Sequence, residues 1–192
     1  MATPALAAPK SAAAADADAP PAGPAAGKHL YTSQAEFDAA NKLWAHTTVR
    51  TYQYWELQVH GNQGALGRCV LVCRRYDALD LADATPAEQA ELFAILRDFR
   101  EVAMSARSPL PFKADWMNYN FLGNDFHHLH CHLIPRYNPK HAVEFEGMKI
   151  YDKDWGKHFH TDKAFKTSAT QQAKVRDALR TALVAMFPER GQ

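Results

Sequence analysis

Apolar positions along this chain recur with two periods, and each predicts a kind of element. From Thr85 to about Ala106, Leu92, Ile95, Leu96, Phe99 and Val102 fall at three- and four-residue steps, the stripe of a helix with one face on a core. Its start is marked by Thr85-Pro86-Ala87-Glu88, which unites an N-cap hydroxyl, a proline at the first helical position and a glutamate that reaches back. A second stripe, Val175, Leu179, Leu183 and Phe187, predicts a C-terminal helix over about 168–187. Ser33 to Glu36 reads as a capping box opening a short helix to about Leu43. β-Branched and aromatic residues predict a strand over 49–60, and the turn-rich stretch Gly61 to Gly64 leads to a second over 68–73. A third covers 114–121.

Residues 128–134 alternate with period two: His-Leu-His-Cys-His-Leu-Ile. The breakers Gly123-Asn124-Asp125 and Pro135-Arg136 frame this run as a short strand. Successive side chains on a strand point to opposite faces, so His128, His130 and His132 share one face and Leu129, Cys131 and Leu133 the other. Between 138 and 166 no period is clear, which predicts a long irregular loop near the site, carrying Trp155, Lys157, His158 and His160. Residues 1–27 are Ala/Pro-rich and predict a disordered tail. The folded domain is then expected over 28–192, with its core at about 45–160.

Composition narrows the function classes. An apolar content of 47% suits a globular core, and 22 basic against 21 acidic side chains leave a net charge of +1. With no Lys/Arg-rich stripe, that balance gives no field for a nucleic-acid backbone. No run of about 18 apolar residues exists to cross a membrane. Cys69, Cys73 and Cys131 are odd in number and lack Cys-x-x-Cys spacing, which points to reduced thiols and a cytoplasmic setting. The tail has one lysine, no arginine and two aspartates, a poor fit to a secretory or mitochondrial address, although organellar targeting stays open.

Three chemistries compete for the imidazole face. Hydrogen-bonded core histidines are the plain reading, but three in register need a partner for every ring nitrogen. A metal site would need further ligands, and Asp125, Glu144 and Glu146 stand at no recognisable spacing. Nucleophilic catalysis at phosphorus uses the row most fully: a neutral ring attacks while a protonated neighbour donates to phosphate oxygens or the leaving group. A central attacker then has a donor on either side of the developing charge.

The stretch from Asn118 to Tyr137, Asn-Tyr-Asn-Phe-Leu-Gly-Asn-Asp-Phe-His-His-Leu-His-Cys-His-Leu-Ile-Pro-Arg-Tyr, resembles the signature of the histidine triad (HIT) superfamily. Its flavour is similar to the bacterial-type, diadenosine-polyphosphate-hydrolase-like branch, and the likeness spans about residues 45–160. It implies an α+β HIT-like fold: about five mainly antiparallel strands, a long helix packed on them and a C-terminal helix. It also implies a nucleotide hydrolase that cleaves dinucleoside polyphosphates or related conjugates at the α-phosphate. His130 would be the nucleophile forming a covalent nucleotidyl-histidine, His132 would bond the phosphate or departing group, and His128 would orient the neighbouring ring. Substrate contacts would come from Asn118, from Asn124, and from Asn62 or His60 at the ribose, with Lys157 or His158 at distal phosphates.

Two positions depart from the family pattern. Asp125 stands where several relatives carry a phosphate-binding Ser or Thr, and a carboxylate there repels phosphate unless turned away or paired with a cation. Arg68, after Gly67, replaces a histidine that assists the leaving group in some relatives. Arginine donates no proton, but its fork suits polyphosphate oxygens and favours a bulky anionic leaving group. No resident metal or other cofactor is expected, with Mg2+ entering, if at all, alongside a polyphosphate. The expected partner is the nucleotide, with a homodimer common among relatives and a monomer not excluded. A transferase or phosphorylase sharing the intermediate, and a non-catalytic metal or nucleotide binder, are the alternatives.

Overall fold

Alternation of side chains builds the central sheet. A computed structural model describes residues 30–124 and 126–191. Five strands, β1 (Thr48–Thr51), β2 (Trp55–Val59), β3 (Cys69–Cys73), β4 (Trp116–Asn120) and β5 (His130–Arg136), form one antiparallel sheet in the order β1-β2-β3-β5-β4. One row across it pairs Leu57 with Leu71 and Leu71 with Cys131; the next pairs Val59 with Cys69, Cys69 with Leu133 and Leu133 with Tyr119. This face is apolar and packs with Leu92, Ile95, Phe99 and Val102 of α2 (Pro86–Met104) and with Val175, Leu179 and Leu183 of α3 (Ala169–Met186) in a single core. Both helices open on capping boxes, at Thr85 and at Ser168. The α+β fold is thus the one expected: a five-stranded antiparallel sheet, a long helix upon it and a C-terminal helix.

The opposite face holds Glu56-Val72-His130 in one row and Gln58-Val70-His132-Asn120 in the next. Helix α1 (Gln34–Lys42) is clipped beside this face through Gln34, whose amide donates to Arg74 O (2.8 Å) and accepts from Tyr76 N (3.3 Å). Ser33 caps it, while Glu36 bonds Thr32 rather than closing the expected box.

Three expectations are corrected. The single strand over 49–60 is a hairpin, because α2 and β3 impose a turn that local propensity opposes. Glu91 accepts from Gln53 N (3.1 Å) and Tyr54 N (2.6 Å), and Arg74 donates to Tyr52 O (2.7 Å) and Gln53 O (3.0 Å). The region 138–166 is not wholly irregular: β6 (Val143–Phe145) and β7 (Met148–Ile150) form a second sheet around Glu146 and Gly147. Both turn residues have positive φ, 49° and 74°, as a tight hairpin of this hand requires. The triad strand begins at His130, with His128 just before it. The tail 1–27 lies outside the described residues.

Candidate active site

His128, His130 and His132 lie where the apolar–imidazole alternation puts them, and hydrogen bonds fix two of the rings. His130 Nδ1 lies 2.7 Å from His128 O, and a carbonyl only accepts, so Nδ1 carries the proton and Nε2 keeps a bare lone pair. His128 Nε2 lies 2.6 Å from Cys73 O and is protonated by the same logic. That ring is 1% exposed, stacked on Phe37 at 4.9 Å, with Tyr31 edge-on at 5.9 Å and Phe126 tilted against it at 5.8 Å. It is a buried strut that presents its own carbonyl to His130. Phe126 also stands 5.5 Å from the His130 ring and lines the approach to it.

His132 sits edge-on to His130 at 5.1 Å, and His60 edge-on to His132 at 6.0 Å, which extends the row to four imidazoles. His60 Nδ1 lies 2.9 Å from Asn62 N and 3.2 Å from Asn62 O, so the Asn62 backbone holds that ring in place. Burial and the Arg68 guanidinium pull His60 down to about 4. Burial, Arg68 and the two neighbouring imidazoles pull His132 down to about 3. Burial lowers His128 to about 4 and also lowers His130. The expected protonated donor beside the attacker is therefore absent from the free site at neutral pH. Donation to phosphate comes from neutral N–H groups and from Arg68, the nearby cation.

Arg68 follows Gly67, whose φ of 79° makes the turn before β3. Its guanidinium is buried, donates to Thr161 Oγ1 at 2.9 Å, stacks over Phe159 at 5.7 Å and leaves Nε unpartnered among the described residues. Burial lowers it to about 10, so it stays charged at neutral pH.

The other substrate-contact candidates have different settings. Asn62 Nδ2 donates to Asp162 O (3.0 Å) and Phe165 O (3.1 Å), and Oδ1 accepts from Gly64 N (2.9 Å). Asn62 is thus a clip between the β2–β3 turn and the 162–165 segment, and of the two ribose candidates His60 alone faces the triad. Asn118, opposite Ile134, and Asn120, opposite His132, both lie on the triad's face of the sheet, and Asn118 Oδ1 accepts from Arg136. Asn124 is exposed on the loop before the triad, and Asp125 lies outside the described residues. Lys157 is exposed and enters this framework through its carbonyl, which Arg136 binds at 3.2 and 3.1 Å.

Arg136 was read only as part of the motif's flank, and the structure makes it a hub. It pairs with Asp152, both side chains nearly buried, bonds Asp154 O at 2.9 Å and, like Arg68, lies over the Phe159 ring, at 5.6 Å. It thereby holds the 152–159 loop against the triad strand. Phe37 and Tyr31 were also missed as site residues, since nothing local to α1 says that it docks on His128.

The pH dependence follows from the lowered imidazoles. As kcat/KM reports the free protein, its acidic limb is expected below the ordinary imidazole value of 6.5, because the nucleophile stays neutral there. Stability runs the other way. Between 6.5 and about 4 the unfolded chain binds protons that His60 and His128 refuse when folded, so stability falls as pH drops through that window. Initial rates and melting curves recorded together from pH 8 to 4.5 check both.

The HIT domain family model matches residues 61–139, which include the whole triad. No match is found among curated proteins. Among solved structures, the chain is similar to a histidine triad protein from Sinorhizobium meliloti 1021, at 18% identity and TM-score 0.52 over 76% of this chain and 94% of that one. A histidine triad protein from Marinobacter aquaeolei VT8 gives 21% identity and TM-score 0.52 over 75% and 94%. A hypothetical histidine triad nucleotide-binding protein from Sulfolobus tokodaii strain 7 gives 15% and 0.52 over 78% and 91%. These likenesses speak to the fold. The triad strand lies inside the stretch that matches the HIT domain model, and the sheet and helices are those of solved histidine triad proteins.

Proposed function

We propose that this chain is a nucleotide hydrolase acting on dinucleoside polyphosphates or related nucleotide conjugates, as in the diadenosine-polyphosphate-hydrolase-like branch. One observation carries the reading: the 2.7 Å contact from His130 Nδ1 to His128 O leaves Nε2 unprotonated beside His132. Nε2 attacks the α-phosphorus, a P–N bond forms and the P–O bond to the nucleoside polyphosphate breaks. Such a leaving group departs as an anion and needs no proton, which suits a site whose nearby cation is Arg68 rather than an acidic imidazole. The nucleotidyl-imidazolium keeps its Nδ1 proton on His128 O, so its positive charge strengthens that bond. Water then attacks phosphorus, releases a nucleoside monophosphate and restores the neutral ring.

His132 and His60 donate to phosphate and ribose oxygens, and Arg68 gathers the polyphosphate. No step requires a resident metal; Mg2+ would enter as the counter-ion of the substrate. Incubation with diadenosine tetraphosphate, with and without inorganic phosphate, tests the reading. AMP plus ATP in both mixtures is the expected result. ADP appearing only with phosphate would make the chain a phosphorylase, and no turnover in either would refute the enzyme.

A further inference from the structure

The face of the sheet that bears the triad does not end at the histidines. Two strands away, in the same rows as His130 and His132, stand Glu56 and Gln58. Between them Val72 and Val70 lay an apolar floor. Two interstrand spacings put Glu56 about 10 Å from His130, comparable to the span from the α-phosphorus of a nucleotide to the far edge of its base.

Glu56 is 8% exposed, yet no cation reaches it among the described residues. Its partners are neutral: Thr48 Oγ1 donates to Oε1 at 2.9 Å, Gln58 Nε2 to Oε1 at 2.8 Å and Asn41 Nδ2 to Oε2 at 3.2 Å. Gln58 Nε2 also donates to Asn41 Oδ1 at 2.9 Å, so both amide protons of Gln58 are engaged. What remains is acceptor capacity: a free lone pair on Glu56 Oε2 and the whole of Gln58 Oε1, which makes no hydrogen bond among the described residues. Helix α1 walls this corner, with Phe37 on His128 and, four residues on, Asn41 on Glu56. Phe37, Asn41, Thr48, Glu56 and Gln58 lie outside the stretch 61–139 that matches the family model.

We propose that Glu56 and Gln58 form a base-reading subsite that selects guanine over adenine. The inference rests on the nucleotide reading above and adds its base. Guanine presents two adjacent donors, N1–H and the N2 amino group, to a corner whose spare capacity is acceptor only. Adenine presents an acceptor, N1, beside its amino group, and an acceptor set against a carboxylate is left unpaired.

The test titrates the full chain with GMP and with AMP and compares turnover of diguanosine and diadenosine tetraphosphate, for wild type, Glu56→Gln and Gln58→Leu. GMP is expected to bind about tenfold or more tightly than AMP, with the same ratio in kcat/KM. Each variant is expected to collapse that ratio to within about threefold. The change at half-buried, uncharged Gln58 gives a second reading even where Glu56→Gln weakens the fold. AMP binding as tight as GMP, or a preference that survives both variants, overturns the subsite and leaves the nucleotide reading standing. If neither nucleotide binds and neither substrate turns over, the nucleotide reading itself falls and this inference with it.

Discussion

His130→Ala is expected to lose turnover by about 10^4-fold or more while melting within a few degrees of wild type. The first half follows from the proposed covalent step: without Nε2 no bond to phosphorus forms, and removal of a nucleophile costs factors of this order or larger in enzymes that work through one. The second half follows from placement. His130 forms one side-chain hydrogen bond, to its neighbour's carbonyl, and faces the site rather than the core. Nucleotide binding should survive, because Arg68, His60 and His132 remain. Steady-state rates beside a binding titration separate the two effects, and an alanine variant as active as wild type would remove His130 from the mechanism.

Arg136→Ala is expected to cost stability, about 3–5 kcal/mol, because it leaves the Asp152 carboxylate buried without its partner. For a domain of this size that is a fall in Tm of roughly 10 °C. Binding should weaken as well. Arg136 holds the carbonyls of Asp154 and Lys157, and the same loop carries Phe159 against Arg68 and leads to Thr161, which Arg68 bonds. Releasing it frees the guanidinium proposed to hold the polyphosphate. The double variant Arg136→Ala, Asp152→Ala should recover part of the loss, since the stranded charge is then gone. Thermal melts of the two variants and wild type measure this; a double variant no more stable than the single one would show that the buried carboxylate is not the cause.

What was legible in the sequence is what local period encodes. Leu92 to Val102 and Val175 to Leu183 declared their helices because one stripe of each meets the core. His128 to Leu133 declared both faces of the sheet, one imidazole and one apolar, because a strand has no other way to separate them. What stayed hidden depends on partners remote in the chain. The turn at Tyr52–Tyr54 exists because Glu91 and Arg74 accept and donate there, and no glycine, proline or asparagine marks it. Asn62 and Asn118 are read as substrate contacts by position, and the partners that the fold gives them, Phe165 and Arg136, lie too far along the chain to be read with them. The β6–β7 hairpin had one local sign, Gly147, too slight beside strands of three residues. Lowered imidazole pKa values likewise come from burial and from Arg68, neither visible before the fold.

The central claim is that His130 makes a covalent bond to phosphorus. Rapid acid-free quenching of the chain with diadenosine tetraphosphate, followed by peptide mass spectrometry, tests it most directly. The account predicts an adenylyl group on His130, absent from His130→Ala. An adduct on another residue, or full turnover with no adduct at any quench time, would contradict it.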